Sequence, residues 1–411
     1  MSKTIAILGA SGAVGTALAA QILRSRMLEP GDKLQLVGHG SRASEARLLG
    51  MRIDLLDAFD EQRIEIEVVP QLLDVEADIV VITSGVAASP QFSNRREMGV
   101  ANRVIFEDIA EKCAMKVPDA LFLVVSNPVE LGVNILSNWL DRRRVFGIGA
   151  QQDSLRFARA IARDLHMSRN DVRASVVGEH GQAMVPLWSS VELVSHNPFQ
   201  LDALKRLKEE SATIPLRMRV AVTQAKVQQL LRAARVSEAY EITRRTWPDV
   251  SIFIEPFITA HSMHSTPNAT SNAVLQCIAA ALADDRRRIH GQVRLQGEVL
   301  DIYGTCGVPV TLARDGWSAE SLDWLTPLEK ELLVESADSI SDFIATVLDS
   351  GRPKTVVIGA PVQPVPTENC VPAARRRTAR QSSPVTAPVV DLVTAKTWSN
   401  RKNRAVFGEY T

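Results

Sequence analysis

The sequence predicts an α/β fold: a doubly wound parallel sheet, then an α+β domain, then a disordered basic tail. Three observations carry this. Short β-branched runs alternate with amphipathic stretches through the first half, the pattern of βαβ units. Those runs read as continuous and mainly apolar, as strands buried on both faces are expected to. The second half mixes strand and helix patterns less regularly.

Candidate strands lie at residues 4–8, 33–37, 64–69, 79–82, 121–125 and 145–148. Between the first two, residues 13–27 place Val14, Leu18, Ile22 and Leu23 at helical spacing. Beyond residue 150, residues 172–177 and 293–295 read as strands, and residues 214–234 and 269–283 as helices. Thr326 and Pro327 are start signals for a last helix running to about Leu348. After Gly351 the chain becomes rich in Pro, Ser, Thr and Ala and carries Arg375, Arg376, Arg377, Arg380, Arg401, Lys402 and Arg404. Such a segment is expected to be disordered, either a solvated extension or an arm for an acidic surface. The expected division is therefore 1–150, 151–350 and 351–411.

A hydrophobic share of 45%, a charged share of 23% and a net charge of zero exclude any general call for nucleic acid or membrane as partner. Cys113, Cys277, Cys306 and Cys370 are scattered, with no C-x-x-C pair. That argues against a zinc site or disulfide framework and for a reducing cytoplasm. The first three cysteines sit in apolar stretches and read as core. The N-terminus enters a strand pattern directly, without the profile of a signal peptide, and no apolar run is long enough to span a bilayer.

Gly9, Ser11, Gly12, Ala13, Val14 and Gly15 form a turn between the first strand and the first helix. Glycine there permits a tight turn and close approach to a pyrophosphate at the helix N-terminus, the Rossmann arrangement for a dinucleotide. A preference for NAD calls for an acid at the end of the second strand. Here the strand runs into Gly38, His39, Gly40, Ser41 and Arg42. A carboxylate would repel the extra phosphate of NADP, whereas Ser41 and Arg42 suit it, so the reading favours NADP or use of both cofactors. The plain alternative is that Arg42 belongs to a solvated loop.

Three segments carry chemistry. Ser126-Asn127-Pro128-Val129 follows a strand at the carboxyl edge, where ligands of such sheets bind. Gln152 to Phe157 opens a helix and contains Asp153 and Arg156; Gly178-Glu179-His180-Gly181 ends a strand. A histidine exchanges protons near neutral pH, and a guanidinium grips a carboxylate through two parallel hydrogen bonds.

In this order the segments resemble the S-N-P-V, L-D-x-x-R-F and G-E-H-G signatures of the lactate/malate dehydrogenase family, with Gln152 standing for the leucine. Gly307-Val308-Pro309-Val310 and Leu325-Thr326-Pro327 extend the resemblance, which covers about Thr4 to Leu348. It implies an NAD(P)-dependent dehydrogenase of small 2-hydroxy acids, working as a homodimer or homotetramer. His180 would be the acid/base, Asp153 its orienting carboxylate and Arg156 the carboxylate clamp. Asn127 would bind the reacting oxygen and adjoin the cofactor, and Thr266 would face substrate. The family's closing loop corresponds to residues 85–96. Its carbonyl-polarising arginine is Arg95, seven residues before Asn102, with Arg96 the alternative. A cofactor- or partner-binding protein without catalysis is the competing class, and retention of His180, Asp153, Arg156 and Asn127 argues against it.

Two departures bear on substrate. Where malate dehydrogenases carry a second loop arginine and lactate dehydrogenases a glutamine, this chain has Ala88. A distal carboxylate buried there without a partner costs roughly 2–5 kcal/mol, which points away from malate unless another cation reaches the pocket. Residues 246–265 read as an insertion with Trp247, Phe253, Phe257, His261 and His264: a pocket wall, a packing elaboration or a subunit contact. His39, His166, His196 and His290 have no visible partners in the sequence and receive no role.

Overall fold

The structure, a computed structural model, describes residues 2–86, 94–195, 197–263 and 265–350. The expected tail, Ala88, His196 and His264 lie outside the described residues.

The first half runs β1 (Thr4–Leu8), α1 (Ala13–Ser25), β2 (Lys33–Val37), α2 (Arg42–Phe59), β3 (Glu65–Val69), β4 (Ile79–Ile82), α3 (Arg95–Lys116), β5 (Leu121–Val124), α4 (Val129–Leu136) and β6 (Val145–Gly147). All six strands pair in parallel, in the order β3-β2-β1-β4-β5-β6. The chain's direction of travel reverses at β1, and a crevice opens there beyond the carboxyl ends of the strands. β4 and β5 are wholly buried, which is why they read as unbroken apolar runs.

The second half runs α5 (Gly149–Asp164), β7 (Val172–Gly178), β8 (Met184–Leu193), α6 (Pro198–Ser211), α7 (Leu216–Arg232), α8 (Val236–Arg245), α9 (Pro248–Met263), α10 (Pro267–Ala283), β9 (Arg287–Gln296), β10 (Tyr303–Ala313), β11 (Gly316–Ala319) and α11 (Pro327–Leu348). Its strands are antiparallel. β9 joins β6 where Gly147 meets Gln292, so one sheet continues from the parallel half into the antiparallel one. Thr326 starts α11 with a full capping box, its hydroxyl accepting from the Glu329 amide and Glu329 accepting from the Thr326 amide.

The six strands and the one helix expected in the first half appear within two residues of their expected limits, whereas α2 was not expected. That helix buries only Ser44, Leu48 and Leu55 and leaves Leu49 and Ile53 exposed, so its apolar stripe is too thin to recognise. No bounds were expected for α3, α4, α6, α8, β8, β10 or β11 either.

The insertion forms α9, which packs against α5 and α7 with Val250, Ile252, Phe253, Ile254 and Ile258 buried. Its first turn holds a buried ion pair. Asp249 accepts from Arg219 Nη1 and Nη2 at 2.8 and 2.7 Å and from Trp188 Nε1 at 3.0 Å, and the guanidinium stacks over Trp247. In the described residues, then, the insertion is a packing element; His261 is exposed. His290, given no partner from sequence, has two: its ring contacts Gln151 Oε1 and Ser175 Oγ at 3.2 and 2.8 Å. Burial, and then Arg288, push its pKa down to about 4, so it is a neutral core histidine. Cys113, Cys277 and Cys306 are buried and free, their thiols pushed up by burial. Among the described residues no helix is long and apolar enough to cross a membrane, and no cluster of residues is arranged to hold a metal ion.

Candidate active site

The glycine-rich turn leaves β1 and enters α1 at the reversal point. Gly9 has φ +79°, and a Cβ there would lie 2.8 Å from the Ser84 amide nitrogen. A Cβ at Gly15 would lie 2.6 Å from Gly9 O and Ala10 Cα, so the helix start can lie against the turn only as glycine. Gly12 is the N-cap and offers no side-chain acceptor to the first amides of α1, which Ala13, Val14 and Gly15 begin. The result is a turn of free amides at a helix N-terminus, which favours an anion. Arg47, one turn into α2, reaches back to it and donates to Ser11 O at 3.3 Å.

Gly38 closes β2, and a Cβ there would meet Ser44 Oγ at 3.0 Å. Ser41 is the N-cap of α2, its hydroxyl accepting from the Ser44 amide at 3.2 Å, and Arg42 is the first helical residue. Arg42 therefore stands at an exposed helix N-terminus rather than in an irregular loop.

At the carboxyl end of β7, Gly178 takes φ +81°, and a Cβ on it would sit 2.4 Å from Ser336 Oγ. The turn that follows aims His180 at the first turns of α5. The imidazole lies so close to that helix that a Cβ on Gly149 would fall 2.5 Å from His180 Cγ. Its Nδ1 is 2.6 Å from Asp153 Oδ2, and Asp153 Oδ1 accepts from Arg156 Nη1 at 2.5 Å. Asp153 and Arg156 share a helix face by their i, i+3 spacing. The carboxylate is 1% exposed, the guanidinium 13% and the imidazole 19%, so only the outer two members of the relay meet solvent.

Burial alone would push the His180 pKa down. The charge and hydrogen bond of Asp153 outweigh it, Glu130 adds to them and Arg156 subtracts, so the imidazole is held above its ordinary 6.5. Burial likewise disfavours ionised Asp153, but His180 and then Arg156 keep its carboxyl below the ordinary 3.8. With Nδ1 committed to Asp153, a proton exchanged with a ligand passes through Nε2.

Asn127 is exposed at the end of β5, its backbone carbonyl accepting from Asn102 Nδ2 at 2.6 Å. Thr266 directly precedes α10 and accepts from Gln152 Nε2 at 3.2 Å, which ties it to the residue before Asp153. Arg95 begins α3. Its Nη2 donates to Glu130 Oε2 at 2.6 Å, its Nη1 pairs with Glu179, and its guanidinium lies over the Phe343 ring at 4.6 Å. Arg96 instead reaches Ser350 at the surface.

His180, Asp153 and Arg156 are thus in direct contact, and Arg95 adjoins the His180 turn through two carboxylates. Sequence reasoning missed Glu130, Gly149 and Gln152. Glu130 and Gln152 lie inside the quoted motifs or one residue past them, and Gly149 opens α5, but what makes each matter is a contact with a distant segment.

Residues 3–147 match the family model described as lactate/malate dehydrogenase, NAD binding domain. The malate dehydrogenase of Methanosphaera stadtmanae is 26% identical over 318 residues, covering 76% of this chain and 87% of that protein. The L-2-hydroxycarboxylate dehydrogenase (NAD(P)(+)) of Methanocaldococcus jannaschii is 27% identical over 321 residues, covering 76% and 88%. Among solved structures, the malate dehydrogenase from Aeropyrum pernix superposes with a TM-score of 0.66 at 23% identity, covering 83% of this chain and 97% of that one. At that identity the superposition speaks for the fold. Residues 3–147 are thus similar to the NAD-binding domain of the lactate/malate dehydrogenase family, and about three quarters of the chain is similar to proteins named malate dehydrogenase and L-2-hydroxycarboxylate dehydrogenase.

Proposed function

We propose that this chain catalyses hydride transfer between NAD(P) and a small 2-hydroxy/2-keto acid, as a malate dehydrogenase-like enzyme with His180 as its acid/base. The relay Arg156–Asp153–His180 carries the reading, because a buried carboxylate that orients and charges an imidazole is the arrangement a proton-transferring histidine needs. The glycine cradle between β1 and α1 has the shape and polarity for the cofactor's pyrophosphate, with Asn127 and Gly38 bordering the same crevice. When bound, the nicotinamide supplies or accepts the hydride.

The protein's own residues do the rest. Arg156 holds the substrate carboxylate, fixing which face of the 2-carbon is presented. His180 donates from Nε2 to the keto oxygen as negative charge develops there, and Asp153 stabilises the imidazolium before that step. In the reverse direction neutral His180 takes the hydroxyl proton. Asn127 donates a hydrogen bond to the same oxygen, Thr266 borders the substrate, and Arg95 balances the developing charge.

Residues 1–150 then form the cofactor half and 151–350 the substrate half. The substrate is a small 2-keto acid; Ala88 favours one without a distal carboxylate, so a 2-hydroxyacid other than malate is the second reading. The test is initial-rate oxidation of NADH and NADPH, in parallel, against a panel of 2-keto acids that includes oxaloacetate and pyruvate. Rapid turnover of oxaloacetate selects the malate reading, turnover confined to other keto acids selects the second, and no turnover with any of them contradicts both.

The absence of an acid at the end of β2, with Arg42 opening an exposed helix, favours NADPH over NADH. Arg42→Gln is expected to lower kcat/KM for NADPH by about tenfold, the worth of one hydrogen bond to a charged group, and to leave that for NADH unchanged. Equal effects on both cofactors would remove Arg42 from the 2′-phosphate site.

A further inference from the structure

One carboxylate at the start of α4 joins the His180 turn to Arg95 on α3, and no part of the proposed chemistry uses it. Glu130 lies in the first turn of α4, two residues past the peptide that holds Asn127, and its side chain is 0% exposed. Oε1 accepts the backbone N–H of His180 at 2.6 Å, and Oε2 accepts from Arg95 Nη2 at 2.6 Å. Arg95 is held from its other side by Glu179, which also accepts the Ala183 amide at 2.8 Å and so closes the same turn. A buried carboxylate is tolerated only when paired, and here both partners belong to the site.

We propose that Glu130 is a positioning residue: its two oxygens fix the His180 turn against α5 and hold Arg95 beside it, so the proton donor and the carbonyl-polarising cation are placed by one group. The length matters. A glutamate at this point spans the His180 amide and the Arg95 guanidinium at once, whereas the shorter aspartate reaches only one of them. Glutamine keeps the shape and the acceptor for the His180 amide, but turns an N–H donor toward a guanidinium that has only donors. Glu130→Gln therefore separates the charged link from the packing.

The charged groups around the His180 ring and turn are Asp153 and Arg156 on α5, Glu130 on α4, Arg95 on α3 and Glu179 beside it in the turn. Removing the charge of Glu130 leaves Asp153 and Arg156 in place and takes away one group that favours the imidazolium.

This inference rests on the dehydrogenase reading, and its test has one arm that does not. In Glu130→Gln, the His180 ring followed by NMR is expected to titrate at lower pH than in the parent protein, with cofactor Kd unchanged. For the keto acid turned over best, kcat is expected to fall by on the order of tenfold to a hundredfold, with the alkaline limb of the pH profile moved down. Glu130→Asp, read by the same measurements, covers the case in which the glutamine protein does not fold; it is expected to keep the His180 titration nearer to that of the parent while lowering kcat. A His180 titration and a kcat equal to those of the parent in whichever variant folds would overturn the proposal. If the parent turns over no keto acid, the dehydrogenase reading has failed, and the NMR titration still decides whether Glu130 acts on His180.

Discussion

His180→Asn is expected to lower kcat for 2-keto acid reduction by about 10²–10⁴-fold, the usual worth of a positioned general acid, while cofactor Kd stays unchanged. Asparagine retains a donor of similar size but cannot deliver a proton, so substrate can still bind in the productive pose. The imidazole contacts Asp153 and the start of α5, not the glycine turn after β1, and cofactor binding has no reason to change. The parent's pH dependence should carry the same signature. His180 is held above its ordinary 6.5, so reduction, which needs the imidazolium, should be flat at acidic pH and fall as pH rises through that higher value. Oxidation of the hydroxy acid should rise over the same interval. Stopped-flow rates from pH 5 to 10 measure both, and a histidine variant within threefold of the parent would take His180 out of the chemistry.

Arg156→Lys should reduce kcat/KM by about 30-fold to several thousandfold, the 2–5 kcal/mol associated with breaking a close, enclosed charge pair. Lysine preserves the charge that Asp153 meets but loses the planar fork that takes a carboxylate through two parallel bonds. Much of the loss should fall on KM, because the clamp acts on the bound keto acid as well as on the transition state, and the remainder on kcat through misplacement of the reacting carbon. A matched substrate in which an amide replaces the carboxylate should be a poor substrate for the parent and nearly indifferent to this variant. If the lysine protein discriminates acid from amide as strongly as the parent does, the carboxylate is held elsewhere.

What the sequence made legible follows from where the information sits. β4 and β5 are buried on both faces and apolar over their whole length, β1 and β2 are mostly so, and β1, β2 and β4 match their expected limits to the residue. The relay was legible for a different reason. Asp153 and Arg156 are one helical turn apart, and His180 lies between glycines at a strand end, so each motif is short and local. Glu130 was invisible because its significance is a pair of contacts with residues 35 and 50 positions away. Gly149 was invisible because the need for glycine comes from the ring of His180, on another element. α2 escaped because two of its apolar side chains, Leu49 and Ile53, face outward and blur the helical stripe. The packing of the insertion was invisible because it depends on Arg219, 30 positions away, meeting Asp249.

The central claim is direct hydride transfer onto the 2-carbon of a keto acid with a proton from His180. Reduced cofactor carrying deuterium at the transferring position of the nicotinamide, incubated with the protein and the keto-acid panel, tests it most directly. The expected product is a 2-hydroxy acid with one deuterium on its 2-carbon, formed in a single enantiomer and almost abolished in His180→Asn. Cofactor that binds yet transfers deuterium to none of the acids, or product labelled anywhere but the 2-carbon, would contradict it.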